Sequence, residues 1–207
     1  MDNARLAKQL AFLLEIDKEK NILRQSHLSN FGRQENDAEH AWHAAIMIYL
    51  LKEYANEKID LAKTMMMILT HDIVEIDAGD TFAYDKDGKS TQQEREKKAA
   101  DRIFGLLPAD QRDELRALFE EFEAYETPEA RFAHTMDHFQ PTILDDANDG
   151  IDWIEHNVTK SQIKKRNAKT GSGSEAIWSY MQSMFQRNID AGHIKDDTGE
   201  DSHAGNH

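Results

Sequence analysis

The chain has 207 residues, enough for one domain with a substantial core, and its 39 acidic against 25 basic side chains give a net charge of -14. That much negative charge disfavours nonspecific binding to nucleic-acid polymers or anionic membrane surfaces, so any polyanionic ligand must be recognised locally. With no cysteine there is no disulfide framework or thiolate chemistry. No basic start leads into an apolar core and no apolar run approaches the ~18 residues of a membrane span, so a cytoplasmic protein is expected.

Three prolines and 10 glycines leave few breakers. Good helix formers are plentiful and no stretch alternates β-branched residues, so the expected fold is all-α. Leu6, Leu10, Leu13, Leu14 and Ile16 mark an amphipathic helix over 3–19. Residues 25–36 mix Ser, His, Asn and Gly and read as an ordered loop. Asn36 or Asp37 can cap a helix over 37–55, with Glu39 in its first turn and Ala41, Ala44, Ala45, Ile48 and Leu51 at helical spacing. His40 falls on or beside that buried stripe. A helix over 60–76 is apolar nearly all round in its middle, with Leu61, Met65, Met66, Ile68 and Leu69, and should be central.

The apolar run ends in adjacent His71 and Asp72, followed by Glu75, Asp77 and Asp80. Residues 81–91 read as a polar surface loop in the position of a lid. Further helices are expected over 92–106, with Ala99, Ala100, Ile103 and Phe104 inward, and over 109–125, where the acidic run 120–126 reads as a solvated face. Thr127 before Pro128 is a good helix start. In that helix Phe132, Ala133, Met136 and Phe139 point inward, Asp137 lies near them, and Pro141 is expected to kink or break it. A last helix spans 175–191, and residues 195–207 form an acidic mobile tail behind a single domain of residues 1–194. Trp153 and Trp178 are expected to pack among the C-terminal helices, and Met65 to Met67 to fill core.

Buried ionisable groups are expensive unless they are paired or bind a metal, so the end of that apolar run is the informative conflict. Side chains about 100° apart can still reach one ion near a helix end. A lone His-Asp pair says little. With His40 on the preceding helix and Asp137 on a later one, His71 and Asp72 would complete a shell of two imidazoles and two carboxylates. Such a set suits one divalent ion of the Mn, Co, Fe, Ni or Zn kind better than Ca, with positions open for water and substrate. That is the outline of metal-assisted hydrolysis. Capped or salt-bridged polar groups at helix ends are the alternative reading.

In order and spacing, Arg24, then Glu35-Asn-Asp-Ala-Glu39-His40, then His71-Asp72-Ile-Val-Glu75-Ile-Asp-Ala-Gly-Asp80, then Asp137 resemble the HD-domain metal-dependent phosphohydrolases over roughly residues 5–190. The most similar branch is that of the YfbR-type 5′-deoxynucleotidases. The resemblance implies that His40, His71, Asp72 and Asp137 are metal ligands and that Glu75 positions or activates the attacking water. It further implies that Asp80 contacts the sugar and that Arg24 holds phosphate oxygens. His134, one turn before Asp137, and His138, the residue after it, are expected beside the ligands or at the surface. The implied activity is release of phosphate from (deoxy)nucleoside 5′-monophosphates or related small phosphorylated metabolites, and the resemblance is compatible with a homodimer. The alternatives are a phosphodiesterase or nucleotide triphosphohydrolase on the same centre, or a metal-stabilised regulatory protein without turnover. Two positions depart from the branch: Gln25 stands where a tryptophan typically follows the arginine, and Ala41 follows the first histidine where a Ser or similar small residue is usual.

Overall fold

The structure is a computed structural model that describes residues 3–79 and 89–198. The long elements are helices, as expected: α1 (Asn3–Ile16), α2 (Asp37–Leu51), α3 (Leu61–Thr70), α5 (Lys89–Phe104), α6 (Ala109–Ala124), α7 (Pro128–Ala147) and α10 (Glu175–Asp190), with the single-turn α4 (Glu75–Ala78) between α3 and α5. Two short helices were not anticipated, α8 (Ile151–Glu155) and α9 (Lys160–Arg166). Local chemistry sets several starts. Asn36 accepts from the Glu39 backbone N–H while Glu39 accepts from the Asn36 N–H, a reciprocal cap that opens α2. Thr127 caps α7 ahead of Pro128, and Thr159 and Gln162 cap α9 in the same reciprocal manner as α2.

The segment read as a loop contains a small antiparallel ribbon, β1 (Leu23–His27) with β2 (Gln34–Asn36). Its sequence has little strand propensity, so a tertiary partner holds it. Asn148, at the end of α7, accepts from the Phe31 N–H at 3.0 Å and donates to the Leu28 carbonyl at 2.9 Å, clamping the turn between the strands. Residues 195–198, assigned to the tail by sequence, are held as well. Lys195 pairs with Thr159 in a parallel bridge, and Asp197 accepts from the Ser161 N–H at 3.0 Å.

The helix expected over 60–76 is in fact divided. α3 stops at Thr70, a 3-10 turn runs from His71 to Val74, and α4 follows until Gly79, whose φ of 75° ends it. Thr70 returns its hydroxyl to the carbonyls of Met66 and Met67, and His71 donates from Nδ1 to Ile68 O, so side chains occupy carbonyls of the last turn. The tightened turn lies at a seam. On one side Ile48, Met67, Ile68, Phe132, Met136 and Met181 form a core between α2, α3, α7 and α10. On the other, Phe12, Ile73, Val74, Ile103, Phe104 and Phe119 join α1, α5 and α6. Pro141 does not end α7, but it removes the N–H that would bond the Asp137 carbonyl.

Two apolar stripes face outward. Leu6, Leu10, Leu13 and Leu14 of α1 are exposed, and Phe12 is the buried residue of that helix, so the stripe that marked α1 as amphipathic is its outer face. Trp42, Ile46, Tyr49 and Leu50 are exposed on α2, and Met66 and Leu69, expected inside, are exposed on α3. Met67 alone of the three consecutive methionines is fully buried. Trp153 lies in the core, with Trp178 packed against it.

Truncating Phe132, fully buried where α7 meets the larger core, to alanine should cost about 3–5 kcal/mol. Urea unfolding of Phe132→Ala against wild type checks this, and a loss under about 1 kcal/mol would contradict the packing described.

Candidate metal centre

His40 stands in the first turn of α2, His71 and Asp72 in the 3-10 turn after α3, and Asp137 midway along α7. These segments bring the four side chains to one point. His40 Nε2 lies 3.1 Å from Asp137 Oδ1, and His71 Nε2 lies 3.1 Å from Asp72 Oδ2 and 3.6 Å from Asp137 Oδ1. His40 Nε2 lies 4.0 Å from Asp72 Oδ2, so His40, His71 and Asp72 offer ligand atoms all within 4.8 Å of one another, with Asp137 Oδ1 beside both imidazoles. Ligand atoms ~2.1 Å from a common ion lie ~3.0–3.4 Å apart, so the set needs little adjustment to enclose a cation.

The second nitrogen of each imidazole is occupied in a way that leaves Nε2 facing this point. His71 donates from Nδ1 to the Ile68 carbonyl at 2.8 Å. His40 donates from Nδ1 to Gln140 Oε1 at 2.7 Å, and the amide orientation is set in turn because Gln140 Nε2 donates to Glu35 Oε2 at 2.9 Å. Ser26 Oγ donates to the other oxygen of Glu35 at 2.7 Å. Glu35, Gln140 and His40 are all buried, so this chain of bonds is shielded from competing water. Gln140 was not anticipated, and nothing in its spacing from Asp137 pointed to it. Glu35 stood within the quoted motif without a role.

The centre is strongly negative. Burial acts to lower the His71 pKa, but Asp72 and Asp137 prevail and raise it well above the ordinary value. Burial likewise opposes ionisation of Asp72 and Asp137, and neighbouring imidazoles hold both below the carboxylate range, helped at Asp72 by Arg24. A site that would stabilise an imidazolium so well would equally stabilise a divalent cation. Two imidazole nitrogens aimed by fixed partners, together with two ionised carboxylates, are a donor set that fits one.

A cavity of about 270 Å³ opens beside these residues. Glu75, buried at the start of α4, lines it one turn beyond Asp72. Asp80 and the segment read as a lid lie outside the described residues. Arg24 lines the cavity too, but its Nη1 donates to Asp72 Oδ2 at 2.7 Å and Asp37 Oδ1 at 2.9 Å, which ties it to the walls. Glu96 and Glu123 add acid to the lining. Glu123 is exposed, as read for its acidic run, and it also borders the cavity, where partial desolvation and the neighbouring Glu96 raise its pKa.

His134 and His138 line the same cavity. His138 Nδ1 is 3.0 Å from Thr170 Oγ1, and its Nε2 is 3.9 Å from Asp137 Oδ2. His134 is stacked on Phe122 and Tyr125 with centroids 3.8 Å and 4.2 Å away, and donates from Nε2 to the Phe122 carbonyl at 2.9 Å.

Helices that converge two histidines and two aspartates on one point define an all-helical metal-binding protein. The chain belongs to the HD domain family, which matches residues 16–178. The human protein named 5′-deoxynucleotidase HDDC2 is 30% identical over 129 residues, 62% of each chain, so the chain spans about three fifths of that relative's length. A solved structure from Magnetospirillum magnetotacticum, described as a predicted metal-dependent phosphohydrolase, is 45% identical, covers 92% of this chain and 95% of its own, and superposes with a TM-score of 0.88. A conserved hypothetical protein from Pyrococcus furiosus, 18% identical over 89% of this chain and 96% of its own with a TM-score of 0.51, shares the fold.

Burial lowers the His134 pKa from an ordinary 6.5 to about 4. The unfolded chain binds this proton where the folded chain does not, so the group's contribution to stability is present above pH 6.5 and is lost as pH falls toward 4. Imidazole NMR should show His134 titrating near 4, and wild type should lose more stability than His134→Phe between pH 7 and 5. A midpoint near 6.5 would contradict the stacked, neutral imidazole.

Proposed function

We propose that this chain is a metal-dependent phosphohydrolase that releases phosphate from (deoxy)nucleoside 5′-monophosphates or closely related small phosphomonoesters. The observation that carries the reading is the convergence of His40, His71, Asp72 and Asp137 with both Nε2 atoms facing one another's carboxylates. The names of its relatives support it, one a 5′-deoxynucleotidase and one a predicted metal-dependent phosphohydrolase. In this reading the four side chains hold one divalent ion of the Mn, Co, Fe, Ni or Zn kind. Bound there, the ion supplies Lewis acidity toward phosphate oxygens and acidifies a water. Glu75 faces the same cavity and takes the proton of the attacking water. Arg24 holds Asp72 in place through its 2.7 Å bond. Glu35 and Gln140 keep His40 in the tautomer that presents Nε2.

The protein is read as cytoplasmic, and among the described residues no helix is long and apolar enough to cross a membrane. The exposed stripe Trp42, Ile46, Tyr49 and Leu50 on α2 supports a homodimer. Sedimentation velocity at micromolar concentration should give twice the chain mass, and a monomer would end that reading.

Phosphate release from deoxyribonucleotides, ribonucleotides and non-nucleotide esters, each assayed with Mn, Co and Zn, tests the activity. Monophosphates should be the substrates. Preference for triphosphates or diesters would select the alternatives on the same centre. His71→Ala and Asp72→Ala should each lose the metal and at least about a hundredfold in rate; full metal content with full activity would sink the proposal. Gln140→Leu should bind metal about 10- to 100-fold more weakly without loss of fold, read by competition with a chromogenic chelator.

A further inference from the structure

Two arginines line the cavity among the described residues, Arg24 and Arg166, and they differ in what they already hold. Arg24 donates to Asp72 and Asp37 and has its Nε 4.0 Å from Glu35, so three carboxylates surround it. Arg166, the last residue of α9, is half-buried and makes no ion pair or hydrogen bond among the described residues. A partly desolvated guanidinium carries five donors, and leaving them without an acceptor is costly. The neighbouring acid is no partner for it. Asp145 lies close enough for Arg166 to act on its charge, but no hydrogen bond or ion pair joins the two side chains.

The position of Arg166 is what gives its free donors a use. Its charge acts on His134 and on Asp145, which bracket Asp137 along α7. The next residue, Asn167, is buried and donates to the Ile163 carbonyl. Thr170 donates to Asn167 at 3.4 Å and contacts His138 Nδ1 at 3.0 Å, one residue from Asp137. The end of α9 is therefore anchored to the part of α7 that carries Asp137. Elsewhere the lining supplies Glu75, Glu96 and Glu123 from α4, α5 and α6, which repel an anion. An anionic substrate entering this cavity meets one set of uncommitted cationic donors among the described residues, those of Arg166.

We infer that Arg166 binds the phosphate group of the substrate, receiving its oxygens on the guanidinium fork while Arg24 serves the metal ligand Asp72. This rests on the phosphohydrolase reading for its substrate, but the arginine site itself can be tested without turnover.

The probe is inorganic phosphate, titrated calorimetrically into the manganese-loaded full chain, with phosphate inhibition of hydrolysis measured in parallel. In Arg166→Met the dissociation constant and the inhibition constant for phosphate should rise at least tenfold, with manganese content and melting temperature unchanged. Arg166→Lys, which retains charge but not the fork, should recover part of the loss. If both variants bind phosphate as wild type does, the inference is overturned, whatever happens to KM. If wild type hydrolyses no phosphomonoester but Arg166→Met still loses phosphate affinity, the anion site stands and the phosphohydrolase reading falls. If hydrolysis is confirmed and phosphate affinity does not move, the reading stands and the role of Arg166 falls.

Discussion

Asp72 and Asp137 are carboxylates held low in pKa at the partly buried meeting point of apolar helices, and compensating their charge is the constraint on which the rest of the structure depends. Two imidazoles and one arginine meet them directly. Each of these partners must then be oriented, which draws further groups inward. Gln140 and Glu35 are buried in a bundle core because His40 needs its Nδ1 proton accepted. Asp37 is buried beside Arg24, and Ser26 beside Glu35. The ribbon β1–β2 supplies Arg24, Ser26 and Glu35, so the one piece of sheet among the described residues lies at the place where this charge is balanced.

The break after Thr70 follows from the same demand. A continuous helix over 60–76 would separate His71 and Asp72 by the ordinary 100° and carry them on past the larger core. The 3-10 turn instead sets both at the seam between the two apolar clusters, with Ile68 packed on one side and Ile73 on the other. Rigidity comes from those two cores. The pocket comes from their failure to merge.

The pocket carries both signs of charge in a chain whose net charge is -14. Glu75, Glu96 and Glu123 set acidic side chains on the same lining as Arg24 and Arg166. Arg24 is bonded to Asp72, and Arg166 lines the same cavity from the end of α9, which Asn167, Thr170 and His138 tie to the Asp137 segment of α7. Net charge is a property of the whole surface, whereas the cavity's own charge is set by the few side chains that line it.

Sequence alone determined what depends on neighbours three or four residues away. Helical periodicity named α2, α3, α5, α6, α7 and α10, and the caps at Asn36 and Thr127 marked two of their starts. The four residues of the candidate centre could be listed from their motifs, because an ionisable pair ending an apolar run is a local contradiction. The tertiary structure decided whatever depends on residues a hundred positions apart. It turned the leucine stripe of α1 outward, because Phe12 lies on the face that meets the smaller core. It made a ribbon from a weak strand sequence, because Asn148 clamps its turn. It placed Glu123 on a cavity, bound Arg24 to Asp72, and coupled Gln140 to His40 across 100 residues. Local pattern specifies which side chains a helix can present together, and only packing between helices specifies what they are presented to.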